Sequence, residues 1–135
     1  METAAASPIL VPLVLSVALL VFHIALQGML ATRELGSQWN AGPRDEAREP
    51  KGILAGRAAR ASANFRETYP GFVALALAVA IANDPSGWDL VGAWLWLAAR
   101  FVYIPLYLAG IPYVRSLVWL VALAGLAIMA ATVVV

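Results

Sequence analysis

Four stretches of the chain, at about residues 8–30, 62–83, 88–108 and 114–134, are each apolar and long enough to cross the ~30 Å core of a bilayer as a helix. Together they consume nearly all of the 135 residues, of which 62% are hydrophobic and only 13% charged, so no soluble domain fits beside them. The chain is therefore expected to be all-α. It should form one integral-membrane, multi-pass domain over residues 1–135, an antiparallel up-down four-helix bundle with a polar loop at about 31–58.

The first span is too long for the apolar part of a secretory signal. It has no basic segment before it and no convincing cleavage site after it, so it is expected to stay. Nine Lys and Arg residues set the orientation. Arg33, Arg44, Arg48, Lys51 and Arg57 lie in the first connection and Arg115 at the last turn, which share one face. The other face carries Glu2, Asp84 and Asp89 and no basic residue, an asymmetry hidden by the net charge of +1. The positive-inside rule then makes the 1–2 and 3–4 connections cytoplasmic and both termini non-cytoplasmic.

The long loop includes SQWNAGPRDEAREPKG, whose mixed charges make a nucleic-acid patch an unsuitable reading. NDPSGW at 83–88 and AGIPYV at 109–114 are turns, with Trp88 and Tyr113 placed as interfacial anchors. The chain has no cysteine, so it supplies no disulfide, metal thiolate or thiol nucleophile, and sulfur chemistry would have to come from a ligand. His23, the one histidine, is far short of a metal site and is expected to be a buried residue bonded to a neighbour.

Against this background the second span opens unusually, with RASANFRETYP. Arg60, Asn64 and Glu67 fall four and three apart, on one helical face that Arg57 and Gly71 extend. Arg66 points elsewhere and can extend toward headgroups. In the third span, Trp96, Arg100, Tyr103 and Tyr107 form a second stripe. Counting ~1.5 Å per residue puts Arg100 and Glu67 at a common depth, where each charge needs a partner, so a contact between them, direct or through a polar ligand, is expected. Arg115 follows at the start of the fourth span. A purely structural polar stripe, with Tyr107 and Arg115 as interfacial anchors, is the alternative.

These segments resemble the MAPEG superfamily, the membrane-associated proteins in eicosanoid and glutathione metabolism. The family's second-helix pattern R-x-x-x-N-x-x-E, followed by an aromatic residue and proline, is matched by Arg60, Asn64, Glu67, Tyr69 and Pro70. ARFVYIPLYLAGIPYVRS is similar to its Arg/Tyr/Tyr segment and the arginine beyond it. The chain looks like a bacterial-type member resembling the microsomal glutathione transferases, and a place in a cell's inner membrane is expected. The resemblance implies that Arg60, Asn64, Glu67, Arg100, Tyr103 and Tyr107 bind glutathione and that Arg115 stabilises its thiolate. It further implies a homotrimer, with Arg33 lent by a neighbouring subunit. Where some relatives carry Tyr directly after the glutamate, this chain has Thr68, with Tyr69 one position later.

The residue chemistry suits that ligand. Arginines grip carboxylates, a glutamate can hold an ammonium, and an arginine beside a thiol of pKa ~8.5 raises its thiolate fraction. A glutathione transferase or peroxidase acting on lipophilic electrophiles or hydroperoxides from the bilayer is the leading expectation, with no metal and no nucleic acid. A glutathione-dependent isomerase is a variant of it. The rivals are a small proton-coupled transporter using Glu67 and a non-enzymatic membrane scaffold.

Overall fold

The computed structural model describes residues 6–46 and 48–135, so Glu2 lies outside the described residues. Five helices follow in order: α1 Leu10–Leu35, the short α2 Ser37–Ala41, α3 Ile53–Ala82, α4 Trp88–Leu108 and α5 Pro112–Val134. All but α2 are long and apolar enough to cross a membrane. The outer surface is correspondingly greasy, with Val14, Phe22, Ile81, Phe101 and Leu117 all exposed. Such a surface suits lipid rather than water. Trp88 and Tyr113 are also exposed, at opposite ends of the bundle.

Hydropathy marks the part of a helix that lipid covers, and α1 and α3 run beyond it. α1 continues to Leu35, and α3 begins at Ile53, so the loop expected at about 31–58 shrinks to the segment holding α2. Helical bonding continues past the apolar stretch because Glu34 holds the two ends together. Its carboxylate accepts from the Lys51 and Gly52 amides at 2.6 and 3.0 Å. Gly52 is the N-cap of α3, and Glu34 satisfies its amide, one of the four left without a helical partner at the start of the helix.

At the opposite end, α3 stops on Asn83 in the left-handed conformation, and α4 starts after left-handed Gly87. Between them Asp84 accepts hydrogen bonds from the Ser86 amide at 3.0 Å and from the Ser86 hydroxyl. The α4–α5 turn closes through Gly110 at φ +75°, with Ile111 N bonded to Leu106 O and Gly110 N to Tyr107 O. That 6→1 and 5→2 pair is the Schellman arrangement, and Pro112 then starts α5 at a position where its missing N–H costs nothing.

α4 and α5 make the closest pair. A Cβ built on Gly92 would lie 2.7 Å from the Gly125 carbonyl oxygen, and one on Gly125 would lie 2.6 Å from that of Gly92. Small residues let two membrane helices approach this far. α3 meets its neighbours through rings instead. Phe72 stacks on Trp96 of α4 at 3.9 Å and 8°, while Phe65 lies 5.6 Å from Trp96 and 4.8 Å from His23 of α1. Tyr69 joins the same column and shares a 3.1 Å hydrogen bond with Ser16 of α1.

Candidate functional site

α3, α4 and α5 converge on a cavity of about 330 Å³ lined by Asn64, Tyr103, Tyr107, Arg115, Ser116 and Trp119. Helical spacing builds it. Tyr103 and Tyr107 are one turn apart on α4, and Trp119 follows Arg115 by one turn on α5. The Tyr103 and Tyr107 rings sit 5.5 Å apart at 50°. Arg115 lies over Tyr107 at 4.6 Å and Arg100 over Tyr103 at 4.3 Å. The four side chains run in the order Arg100, Tyr103, Tyr107, Arg115, so each cation rests on a ring face that attracts it.

Arg100 is fully buried behind this cavity. Its Nη1 donates to Asn64 Oδ1 at 2.9 Å, while Nε and Nη2 have no partner. The direct partner is therefore Asn64 and not Glu67. A contact at the end of α4 explains the difference, because Arg57 Nη1 donates to Leu108 O at 3.0 Å and ties those residues to one level. From there Asn64 is seven residues along α3, ~10 Å, and Arg100 eight back along α4, ~12 Å, whereas Glu67 is ten, ~15 Å. Arg57, which extends the polar stripe in sequence, serves as a carbonyl cap on α4.

Glu67 and Arg60 are exposed on the protomer and do not line the cavity. Arg60 folds back along its own helix, its Nη1 3.1 Å from where a Gly56 Cβ would stand. Arg33 is exposed at the end of α1. Tyr69 is spent on Ser16 and the aromatic column, and the Thr68 hydroxyl is buried without a partner, so neither reaches the cavity. His23 is buried against Phe65, but its Nε2 has no hydrogen-bond partner, contrary to the expected bond with a neighbour.

Ser116 and Trp119 are cavity residues that sequence reasoning missed. The available signal was the register of α5, in which Trp119 shares the face of Arg115. No carboxylate lines the cavity, and Arg115 contributes a cation to its wall. Tyr hydroxyls, an asparagine amide and a guanidinium around a partly apolar space can bind a small anion and stabilise negative charge within it. A larger groove of about 490 Å³ between α1 and α4, lined by residues such as Leu19, Phe22, Leu97 and Phe101, carries no ionisable or hydroxyl side chain.

No curated protein and no solved structure matches the chain. The sequence model of the MAPEG family matches residues 9–135, which covers all four long helices and every side chain of the cavity. The chain belongs to the MAPEG family.

Proposed function

We propose that the protein is a membrane glutathione transferase or peroxidase in which Arg115 holds the glutathione sulfur as a thiolate. The observation that carries this reading is the placement of Arg115 over Tyr107, on the wall of a cavity that also holds Asn64 and Tyr103. Membership of a family of glutathione-related membrane enzymes supports it. A guanidinium beside a thiol favours its ionised form and so raises the concentration of the nucleophile.

In conjugation the thiolate attacks an electrophilic carbon, the new C–S bond replaces the bond to the leaving group, and that group departs with the electron pair. In peroxide reduction the thiolate attacks the distal oxygen, the O–O bond breaks and the alkoxide takes a proton. The resulting sulfenic form is resolved by a second glutathione. Arg115 stabilises the sulfur's charge before either step, and Tyr103 and Tyr107 position the tripeptide.

Glu67, Arg60 and Arg33 complete the site from the subunit boundary. Their exposure on an isolated protomer supports cover by a neighbouring copy, since charged groups at membrane depth are costly against lipid, and the family resemblance implies that the copies number three. The cavity's size, near the small end for ligand pockets, agrees with a site shared between copies. Glutathione enters from the cytoplasmic face, which the basic connections mark, and the lipophilic partner enters from the bilayer.

Titrating purified protein with glutathione should produce thiolate absorbance. Arg115→Ala should abolish that signal, keep much of the binding and lower turnover by about 10²-fold. Full thiolate formation in the variant would sink the assignment. Calorimetry separates the rivals, because a scaffold binds no glutathione and a transporter that uses Glu67 instead couples uptake to protons.

A further inference from the structure

On the other side of α3 lies a cavity of about 520 Å³ bounded by α1, α2 and the start of α3. Arg66 reaches it because two residues on from Asn64 is a turn of ~200° around the helix, away from the site described above. Arg44 reaches it from the loop, with Trp39 and Asn40 of α2 beside it. Apart from Gln27 its walls are otherwise small or apolar, Ile24, Ala31, Ala55 and Ala59 among them. Gly28 adds to the space, since a Cβ there would meet nothing within 4 Å.

Both arginines are held in place and both keep free donors. Arg44 Nη2 is bonded to the Asn40 carbonyl at 3.0 Å and to its side-chain oxygen at 2.5 Å, with the guanidinium 4.6 Å over the Trp39 ring. Its Nε and Nη1 make no hydrogen bond among the described residues. Arg66 bonds only through Nε, to the Ser62 carbonyl at 3.3 Å. No carboxylate lines the cavity. Of the neighbouring acids, Glu34 is engaged on the Lys51 and Gly52 amides, while Asp45 and Glu46 line an adjoining groove that shares Trp39 and Arg44 with this cavity. The indole nitrogen of Trp39 is buried without a partner among the described residues.

Two arginines with free donors beside a largely apolar wall, set where the helices leave the membrane, describe the receptor for an anion that carries a hydrocarbon chain. Basic pockets between membrane helices at this level suit lipid headgroups. We infer that this cavity binds an anionic phospholipid, its phosphate held by Arg44 and Arg66 and an acyl chain laid along Ile24 and Ala59. The site is separate from the glutathione cavity and does not rest on the proposed activity.

The test is lipid retention by the detergent-purified full chain, exposed to phosphatidylglycerol, to phosphatidylcholine or to inorganic phosphate alone and read by native mass spectrometry and thermal unfolding. Wild type should retain phosphatidylglycerol over phosphatidylcholine by about tenfold, and Arg44→Gln with Arg66→Gln should bring the two to parity. Arg48→Gln, outside the cavity, should keep the preference. Brominated phosphatidylglycerol should quench a part of the fluorescence that disappears in Trp39→Phe, and this readout stands even if the double variant does not fold. Equal retention of the two lipids by wild type, an undiminished preference in the double variant, or equal stabilisation by phosphate alone would each overturn the proposal.

Discussion

Between α4 and α5 the backbones close on each other at Gly92 and Gly125, whereas α3 keeps its neighbours at the distance of an aromatic ring or an arginine. At the two glycines the first seam leaves no room for a ligand, and only toward the α4–α5 turn does it open onto Tyr103, Tyr107 and Arg115. Most of the orphaned buried polar atoms gather along the seams of α3 with α1 and α4. Ser62 Oγ and Thr68 Oγ1 are on α3 itself, and His23 Nε2 and Arg100 Nε and Nη2 belong to side chains that meet Phe65 or Asn64 of α3. Each such atom costs on the order of 1–3 kcal/mol when nothing satisfies it. The contrast teaches a division of labour, in which the glycine contact makes the hairpin rigid and the polar groups are presented where that hairpin opens toward its turn and meets the looser α3.

The sharpest way to break that contrast is to open the tight seam. Gly125→Leu puts a side chain where even a Cβ meets a carbonyl oxygen at 2.6 Å. The variant should lose the hairpin and with it the folded protein, seen as loss of the monodisperse peak in size-exclusion chromatography. The milder Gly125→Ala should cost about 1–3 kcal/mol. Recovery of Gly125→Leu at wild-type yield and melting temperature would show that α4 and α5 do not pack as described.

On the looser side, Asn64→Ala removes the only hydrogen-bond partner of buried Arg100 among the described residues. Thermal unfolding should register a loss of about 1–3 kcal/mol. Pairing the change with Arg100→Met should recover part of it, because the uncompensated charge leaves as well. Strict additivity in that double-mutant cycle would mean that the two residues are not coupled.

The smallest effect belongs to neither seam. Hydrogen bonds from the Ser86 hydroxyl and amide hold the exposed Asp84 carboxyl below its ordinary range. A carboxylate whose folded pKa is lowered adds stability above its unfolded pKa, and that contribution is lost as pH falls through the folded value. The gap in melting temperature between wild type and Asp84→Ala should therefore be constant at neutral pH and shrink below about pH 4. A gap that widens on acidification would refute the role of the turn.

Long apolar runs announced the helices because lipid imposes a single coarse rule on composition, and Arg60, Asn64 and Glu67 announced a stripe because helical period is regular. Which stripe residue meets Arg100 was not legible. Counting residues from assumed helix ends favoured Glu67, and only the Arg57 contact with Leu108 sets the levels that select Asn64. Ser116 and Trp119 stayed hidden for a related reason. Their side chains matter through the angle between α5 and its neighbours, which one helix's sequence does not encode. The Gly92–Gly125 contact is likewise a property of a pair, since either glycine alone resembles any other in a chain containing ten.

The carboxylate of Glu34 on the Lys51 and Gly52 amides has a practical consequence for engineering. It clips the segment between α1 and α3 at its base, so extra length inserted beyond the clip does not have to be transmitted to the spans. The entropy of closing a loop grows only slowly with its length. A reporter tag spliced between Asp45 and Arg48 would then sit on a tethered bight of chain, where labelling in intact and permeabilised cells reveals on which side of the membrane the basic loop lies.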